Sequence, residues 1–361
     1  MKKIIVMPTI HVPHVLTKWA ASMTPNVDEI IVMDGSIPGN SGQPRGEIMS
    51  LLYAIEEKFS IATMYHSANA QQALGWESAQ YMGWYTTCRR NIGFLEAVKR
   101  GADLIVTLDD DNEPKLTNQL QVIEMFFVDS SEVETVSSST GWFDPGSLCI
   151  AKDSMGNETF VTHRGYPLPQ RHIKPKIRYN VGESMPIGVH AGLWFGEPDI
   201  DAIERMVLNP DVFHIEPSVK LERGTWAPFD SQSTVFRADL MPMMMCWPHV
   251  GRYDDIWASY LARCIMDELG YSVMYGHPAV YQDRNPHDLM KDLAAEVHGM
   301  QWTSQLVDIL RQVDFSGHSG DILTMIENAI NTIVVHLPDA IPIDTRRAMD
   351  AWLRDCAQVM K

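Results

Sequence analysis

Leu104-Ile-Val-Thr-Leu-Asp-Asp-Asp111 is a short, unbroken apolar run that ends in three carboxylates. Preceded by Gly101, a run of this length without polar alternation predicts a strand buried on both faces of a sheet. Three acidic side chains at its carboxyl end repel one another in the free protein, and a divalent cation among them relieves that repulsion. Hard cations such as Mg²⁺ and Mn²⁺ take oxygen ligands and usually share them with substrate phosphates. The stretch therefore points to a metal-assisted site for a nucleoside diphosphate. The plainer alternative is a solvated acidic turn whose aspartate caps the next helix; the position after a buried strand favours the first reading.

Two further apolar runs, Lys3-Ile-Ile-Val-Met7 and Glu29-Ile-Ile-Val-Met33, end in Pro8-Thr9 and Asp34-Gly35, with a helical segment around Val15, Trp19 and Met23 between them. Alternating strands and helices predict an α/β fold with a mostly parallel sheet and ligands at the carboxyl edge of its strands. Thr9, Asp34, Asp109, Asp110 and Asp111 would then line one edge. Residues 36–44 read as a loop. Residues 86–100 read as a helix with Ile92, Leu95 and Val98 on one side and Gly101 as its cap. It carries Arg89 and Arg90. Arginines on a helix are ordinarily solvated, but a helix just ahead of the acidic strand can aim one at a diphosphate. Residues 130–179 predict short strands and loops. Residues 256–269 have helical spacing, with Asp254-Asp255 at the start and Gly270 at the end. Beyond about Gly299 the chain predicts helices near 304–313, 322–335 and 344–360, a packing or oligomerisation element without obvious chemistry. The expected division is a catalytic domain over 1–299 and a helical extension over 300–361.

A chain of 361 residues, 45% hydrophobic and 21% charged, has the balance of an ordinary globular protein, one large α/β domain or two smaller ones. No stretch reaches membrane-spanning length, and the apolar run after Met1-Lys-Lys is too short for a signal peptide, so a cytoplasmic protein is expected. The five cysteines are scattered and form no C-x-x-C pair, which argues against a disulfide framework or zinc site. A net charge of −17, from 29 basic and 46 acidic residues, weighs against nucleic acid as a partner. It leaves room for a local basic cleft.

A second acidic pair stands in Gly251-Arg-Tyr-Asp-Asp-Ile-Trp257. A helix N-terminus accounts for one aspartate; two, preceded by Arg252 and Tyr253, suggest contact with sugar hydroxyls or a general base. Between the acidic sites lie His163-Arg-Gly-Tyr-Pro167 and His190-Ala-Gly-Leu-Trp194. In this order, and together with Met7-Pro-Thr-Ile10, Ile31-Val-Met-Asp-Gly35, Cys88-Arg89 and Pro198-Asp199, these segments resemble the reversibly glycosylated polypeptides, also called UDP-arabinopyranose mutases. The resemblance covers roughly residues 4 to 295.

That resemblance implies a GT-A-like, Rossmann-type mixed sheet flanked by helices, a UDP-sugar substrate and Mn²⁺ or Mg²⁺. It implies that Asp34 contacts the uracil–ribose end, that Asp109 and Asp111 hold ribose and metal with Asp110 close by, and that Arg164 is the arginine the family glycosylates reversibly. Asp254 and Asp255 would face the sugar. Thr9, Arg89, His190 and Trp194 complete the expected binding set. The chain departs from the family at Asp230-Ser-Gln-Ser-Thr234 and at Tyr281-Gln-Asp-Arg-Asn-Pro-His287, where Gln282, Asp283 or His287 is the candidate for a further metal ligand. Two enzymatic outcomes follow from one site, a mutase with self-glycosylation or transfer to a separate acceptor such as a glycan or hydroxylated nucleobase. A non-catalytic nucleotide-sugar-binding protein, using the helical tail as an interface for a homo-oligomer, is the third.

Overall fold

Ten strands form the spine of one mixed sheet in the order Ala62–His66, Glu29–Asp34, Lys3–Thr9, Leu104–Leu108, Ser233–Arg237, Ile187–Gly196, Ser272–Gln282, Val219–Leu221, Glu134–Ser138 and Ile177–Tyr179. This computed structural model describes residues 1–23, 27–39, 44–179, 185–317 and 320–361. The first four strands are parallel. Lys3–Thr9, Glu29–Asp34 and Leu104–Leu108 are buried along their whole lengths, as expected of apolar runs without alternation.

The mixed part of the sheet gathers distant segments at one edge. Ser233–Arg237 runs antiparallel to Leu104–Leu108, with Ser233 opposite Leu108. Residues just before Ser233 therefore sit beside the acidic turn, and the backbone N–H of Asp109 donates to Gln232 O at 2.9 Å. Ile187–Gly196 is antiparallel to Ser233–Arg237 and parallel to Ser272–Gln282. Both long strands thus deliver their carboxyl ends, around Asp199 and Arg284, to the edge where Leu104–Leu108 delivers Asp109. This is the crevice at strand ends where open α/β sheets bind ligands.

The helix expected over 86–100 is two elements, a 3₁₀ turn at Thr87–Arg89 and an α-helix at Arg90–Lys99, followed by Gly101 at φ +77°. The acidic pair opens the helix Asp254–Leu269, buried almost throughout from Asp255 to Met266. The last three helices are Leu289–Leu310, Ile322–His336 and Ile343–Val359. The first begins well ahead of residue 304 and runs through the boundary expected at 299. The final helix docks on the sheet-bearing part: Trp352 Nε1 donates to Pro242 O at 2.8 Å, and the Asp355 carboxylate accepts the N–H groups of Glu77 and Ser78 at 3.0 and 2.8 Å. Among the described residues no helix is long and apolar enough to cross a membrane.

Candidate active site

At the carboxyl edge lies a cleft of two joined chambers, of about 470 and about 270 Å³. The narrower is lined by the end of the first strand, Pro8 to His11, with Gly35, Asp110 and Asn285. The wider holds Arg90, Arg164, Asp199, Ser231, Asp254, Asp255 and Arg284. Tyr85, Thr86, Thr87, Asp109, Asp111 and His287 border both. Two of the non-glycine residues with left-handed backbone, Tyr85 at φ 57° and His249 at φ 68°, lie on its walls. Such conformations cost free energy and concentrate at functional sites.

The three carboxylates after Leu108 have separate surroundings. Asp109 Oδ1 receives Nη2 of Arg90, a buried side chain that also donates to Thr107 Oγ1 at 2.7 Å and to Ser231 O. Asp110 accepts Thr9 Oγ1 at 2.5 Å, which ties the turn to the first strand; burial pushes its pKa up. Asp111 accepts the Asn112 side-chain amide at 3.3 Å. Burial first, then the charges of Asp109 and Asp110, push its carboxyl up to about 7 against the pull of Arg284.

The far wall is an ion-pair network around Arg164. Its Nε donates to both oxygens of Asp199, at 3.0 and 2.9 Å. Nη2 lies 2.8 Å from Asp199 Oδ2 and 3.2 Å from Asp255 Oδ1, and Nη1 donates to Arg252 O. Burial opposes the charge on Arg164, but the carboxylates of Asp199 and Asp255 outweigh it and raise its pKa well above the usual arginine range. Burial would likewise raise Asp199, yet Arg164, Arg284 and Arg252 hold it far below the carboxylate range. Asp255 also accepts the N–H and hydroxyl of Ser231, each at 3.0 Å. Asp254 accepts Thr87 Oγ1 at 2.7 Å and the Cys88 thiol at 3.4 Å, and burial with the charge of Asp255 pushes its pKa up.

Gly165 in this motif is fixed by space. It sits at φ +87°, and a Cβ there would fall 2.3 Å from Ile256 Cγ2. Gly165→Ala should cost roughly 2–4 kcal/mol, from backbone strain plus overpacking, and loosen the neighbouring Arg164. Urea unfolding checks this; an alanine variant as stable as the parent contradicts it.

The expected residues Thr9, Asp109, Asp110, Asp111, Arg164, Asp254, Asp255 and His287 all border the cleft. Four others do not. Asp34 is buried, and its carboxylate is committed to Ser36 N and Oγ at 2.9 and 2.5 Å and to Tyr65 OH at 2.8 Å. It shapes the turn whose Gly35 borders the narrower chamber. Arg89 turns away: its guanidinium stacks 3.4 Å from the Trp84 ring centre and its Nε donates to Gly83 O, so of the two arginines it is Arg90 that borders the cleft. His190 and Trp194 are core, because their strand is covered on both faces. His190 Nε2 donates to His277 O at 2.9 Å and its ring stacks on Phe126, and burial pushes its pKa down to about 4. Trp194 is fully buried against His163. Neither acidic residue caps the helix Asp254–Leu269 at its N-cap, which is Tyr253; Asp254 instead accepts the N–H of Asp255 at 3.0 Å.

Among the described residues no group of three or more His, Cys, Asp or Glu side chains is arranged to hold a metal ion. Asp109 is taken by Arg90, and His287 Nδ1 pairs with Asp292 at 3.0 Å. Asp111, whose carboxyl is made basic by burial and its acidic neighbours, has the chemistry of a cation ligand that shares its ion with phosphate oxygens.

Fold and site together define an α/β protein with a strand-end cleft in which carboxylates face arginines. The family model described as reversibly glycosylated polypeptide matches residues 4–360, and the chain belongs to that family. It is 23% identical over 327 residues to UDP-arabinopyranose mutase 2 of Arabidopsis thaliana, covering 86% of this chain and 79% of that one. It is 24% identical over 318 residues to UDP-arabinopyranose mutase 1 of the same plant, covering 84% and 77%. With the probable UDP-arabinopyranose mutase 1 of Pisum sativum the match is 25% over 161 residues, so this chain spans only 41% of that relative's length. Among solved structures, mannose-1-phosphate geranyltransferase from Thermus thermophilus aligns at a TM-score of 0.30 and 10% identity over 80% of this chain and 76% of that one. At that score the architecture rests on the strands described above and not on the likeness.

Proposed function

We propose that the protein is an enzyme acting on a UDP-sugar, of the UDP-arabinopyranose mutase type. The observation that carries this reading is the meeting of Asp109 and Asp111 with Arg164, Asp254 and Asp255 in one cleft, within a chain of this family. The narrower chamber, beside Thr9 and Gly35, would take the nucleoside. The border at Asp109 and Asp111 would take the diphosphate, and the Arg164 wall the sugar.

A divalent cation, Mn²⁺ or Mg²⁺, would take Asp111 as its protein ligand, since Asp109 and His287 are engaged by Arg90 and Asp292, and would neutralise charge on the departing diphosphate. The chain's own groups do the rest. Breaking the bond from C1 to the β-phosphate oxygen leaves the sugar oxocarbenium-like, and the carboxylates of Asp254 and Asp255 stabilise that positive charge. In a mutase the sugar's own 4-hydroxyl attacks C1 and gives its proton to Asp254, whose proton affinity is raised; the C1–O5 bond then breaks as O5 takes that proton, and the diphosphate recaptures the furanosyl cation at C1. Capture by Arg164 would form an N–C1 bond, with the departing guanidinium proton passing to Asp255.

One observation favours a second reading. Each nitrogen of Arg164 is already engaged, and two carboxylates hold its proton in place. Such a guanidinium is a poor nucleophile. In that case a separate acceptor hydroxyl captures the sugar and Asp254, with its raised proton affinity, takes the hydroxyl proton.

Calorimetry of UDP with and without Mn²⁺ tests the shared part of both readings: affinity should depend on the cation, and equal affinity in EDTA would sink it. The pH dependence has a definite sign. Asp111 keeps its proton up to about pH 7, and a cation must displace it. Affinity for UDP with Mn²⁺ should fall about tenfold per pH unit below 7 and level off above. Titrations at pH 6 in buffers of different ionisation enthalpy should find about one proton released; a flat profile from pH 5 to 8 contradicts the role of Asp111.

A further inference from the structure

Four arginines border the wide chamber: Arg90, Arg164, Arg252 and Arg284. Three are occupied by the protein itself. Arg90 serves Asp109, Thr107 and Ser231, and Arg164 serves Asp199 and Asp255. Arg252 lies 3.0 Å from Glu296 and 3.5 Å from Asp292. Arg284 differs. Its backbone N–H is fixed by Glu197 Oε2 at 3.1 Å, and its side chain is only 9% exposed. Yet its Nη1 is buried and meets no hydrogen-bond acceptor among the described residues. Nη1 lies 3.5 Å from Asp199 Oδ1, but Asp199 already receives Arg164 at three closer contacts.

A buried guanidinium N–H without an acceptor costs free energy. A ligand oxygen entering the cleft removes that cost. A guanidinium suits the planar, two-point recognition of phosphate better than that of a sugar hydroxyl. Arg284 also shares its chamber with Asp111, the carboxylate best suited to a cation between protein and phosphate, and it lies in the segment Tyr281–His287 where the sequence departs from the family pattern.

We infer that Arg284 binds the terminal phosphate of a nucleoside diphosphate, so that it sets the preference for UDP over UMP and for UDP-sugars over nucleosides. This inference rests on the UDP-sugar reading above and adds the group that grips the diphosphate; of the arginines the sequence offers for that place, Arg89 turns to Trp84 and Arg90 is committed to Asp109.

The test compares calorimetric affinities for UDP and UMP, with Mn²⁺ present, in the wild type, Arg284→Gln and Arg284→Lys. UDP should bind Arg284→Gln at least tenfold more weakly than it binds the wild type, with UMP within twofold. Arg284→Lys keeps the charge beside Asp199, and so the fold, but loses the fork; it should weaken UDP several-fold and leave UMP alone. Should Arg284→Gln melt early, the lysine variant decides. Unchanged UDP binding in the variants, or equal loss of UDP and UMP, overturns the role of Arg284 while leaving the UDP-sugar reading standing. Failure of the wild type to bind UDP overturns both.

Discussion

Arg164→Ala should abolish sugar turnover and lower the stability of the fold by about 3–5 kcal/mol, the usual cost of removing one partner from a buried ion-pair network. Asp199 and Asp255 would be left facing each other without their shared cation, and Asp199 is nearly fully buried. Arg284, 3.5 Å from Asp199, offsets part of that loss but none at Asp255. Arg164→Lys separates the two effects. A lysine keeps the charge, but its compact ammonium cannot donate to Asp199, Asp255 and the Arg252 carbonyl at once. Stability should recover in large part, and turnover should not. Urea unfolding beside a turnover assay reads both. A lysine variant with wild-type turnover would show that charge alone matters at this wall and would remove Arg164 from the sugar's immediate contacts.

Asp111→Asn should have the opposite signature. The ionised carboxyl is disfavoured by burial and by Asp109 and Asp110, a cost absent in the unfolded chain. The amide removes it. A carboxyl whose pKa is raised in the folded state costs nothing below its unfolded pKa, and it destabilises progressively as pH rises from there to about 7. At pH 8 the asparagine variant should therefore be more stable than the parent by about 1–3 kcal/mol. UDP binding in Mn²⁺ should nevertheless weaken by about two orders of magnitude, because a neutral amide is a poor ligand for a hard cation. Greater stability with lost binding marks a residue kept for ligand rather than for fold. Lost stability with retained binding contradicts this assignment.

The sheet was legible wherever local sequence decides. The apolar runs ending at Met7, Met33 and Leu108 had no alternation, and burial on both faces followed. The carboxylates Asp109 to Asp111 and Asp254-Asp255, with Arg164, could be singled out because each belongs to a short motif, and all of them line the cleft. What was misjudged depended on direction. Neighbours on a helix point apart, and nothing local told Arg89 from Arg90; the 3₁₀ turn at Thr87–Arg89 decided it. His190 and Trp194 lie on a strand covered on both faces, so polarity gave no hint that they are core. Ser231 and Arg284 reach the site only because Ser233–Arg237 runs antiparallel to Leu104–Leu108 and Ser272–Gln282 runs parallel to Ile187–Gly196. Such long-range pairings leave no trace in local pattern, though Arg284 stood in a segment already singled out.

The most direct test of the central claim is product analysis of the pure protein incubated with UDP-arabinopyranose and Mn²⁺. Chromatography should show UDP-arabinofuranose appearing while total nucleotide-bound sugar is conserved, and Arg164→Lys should form none. UDP-arabinopyranose recovered unchanged, with neither its furanose isomer nor free UDP, would contradict the account.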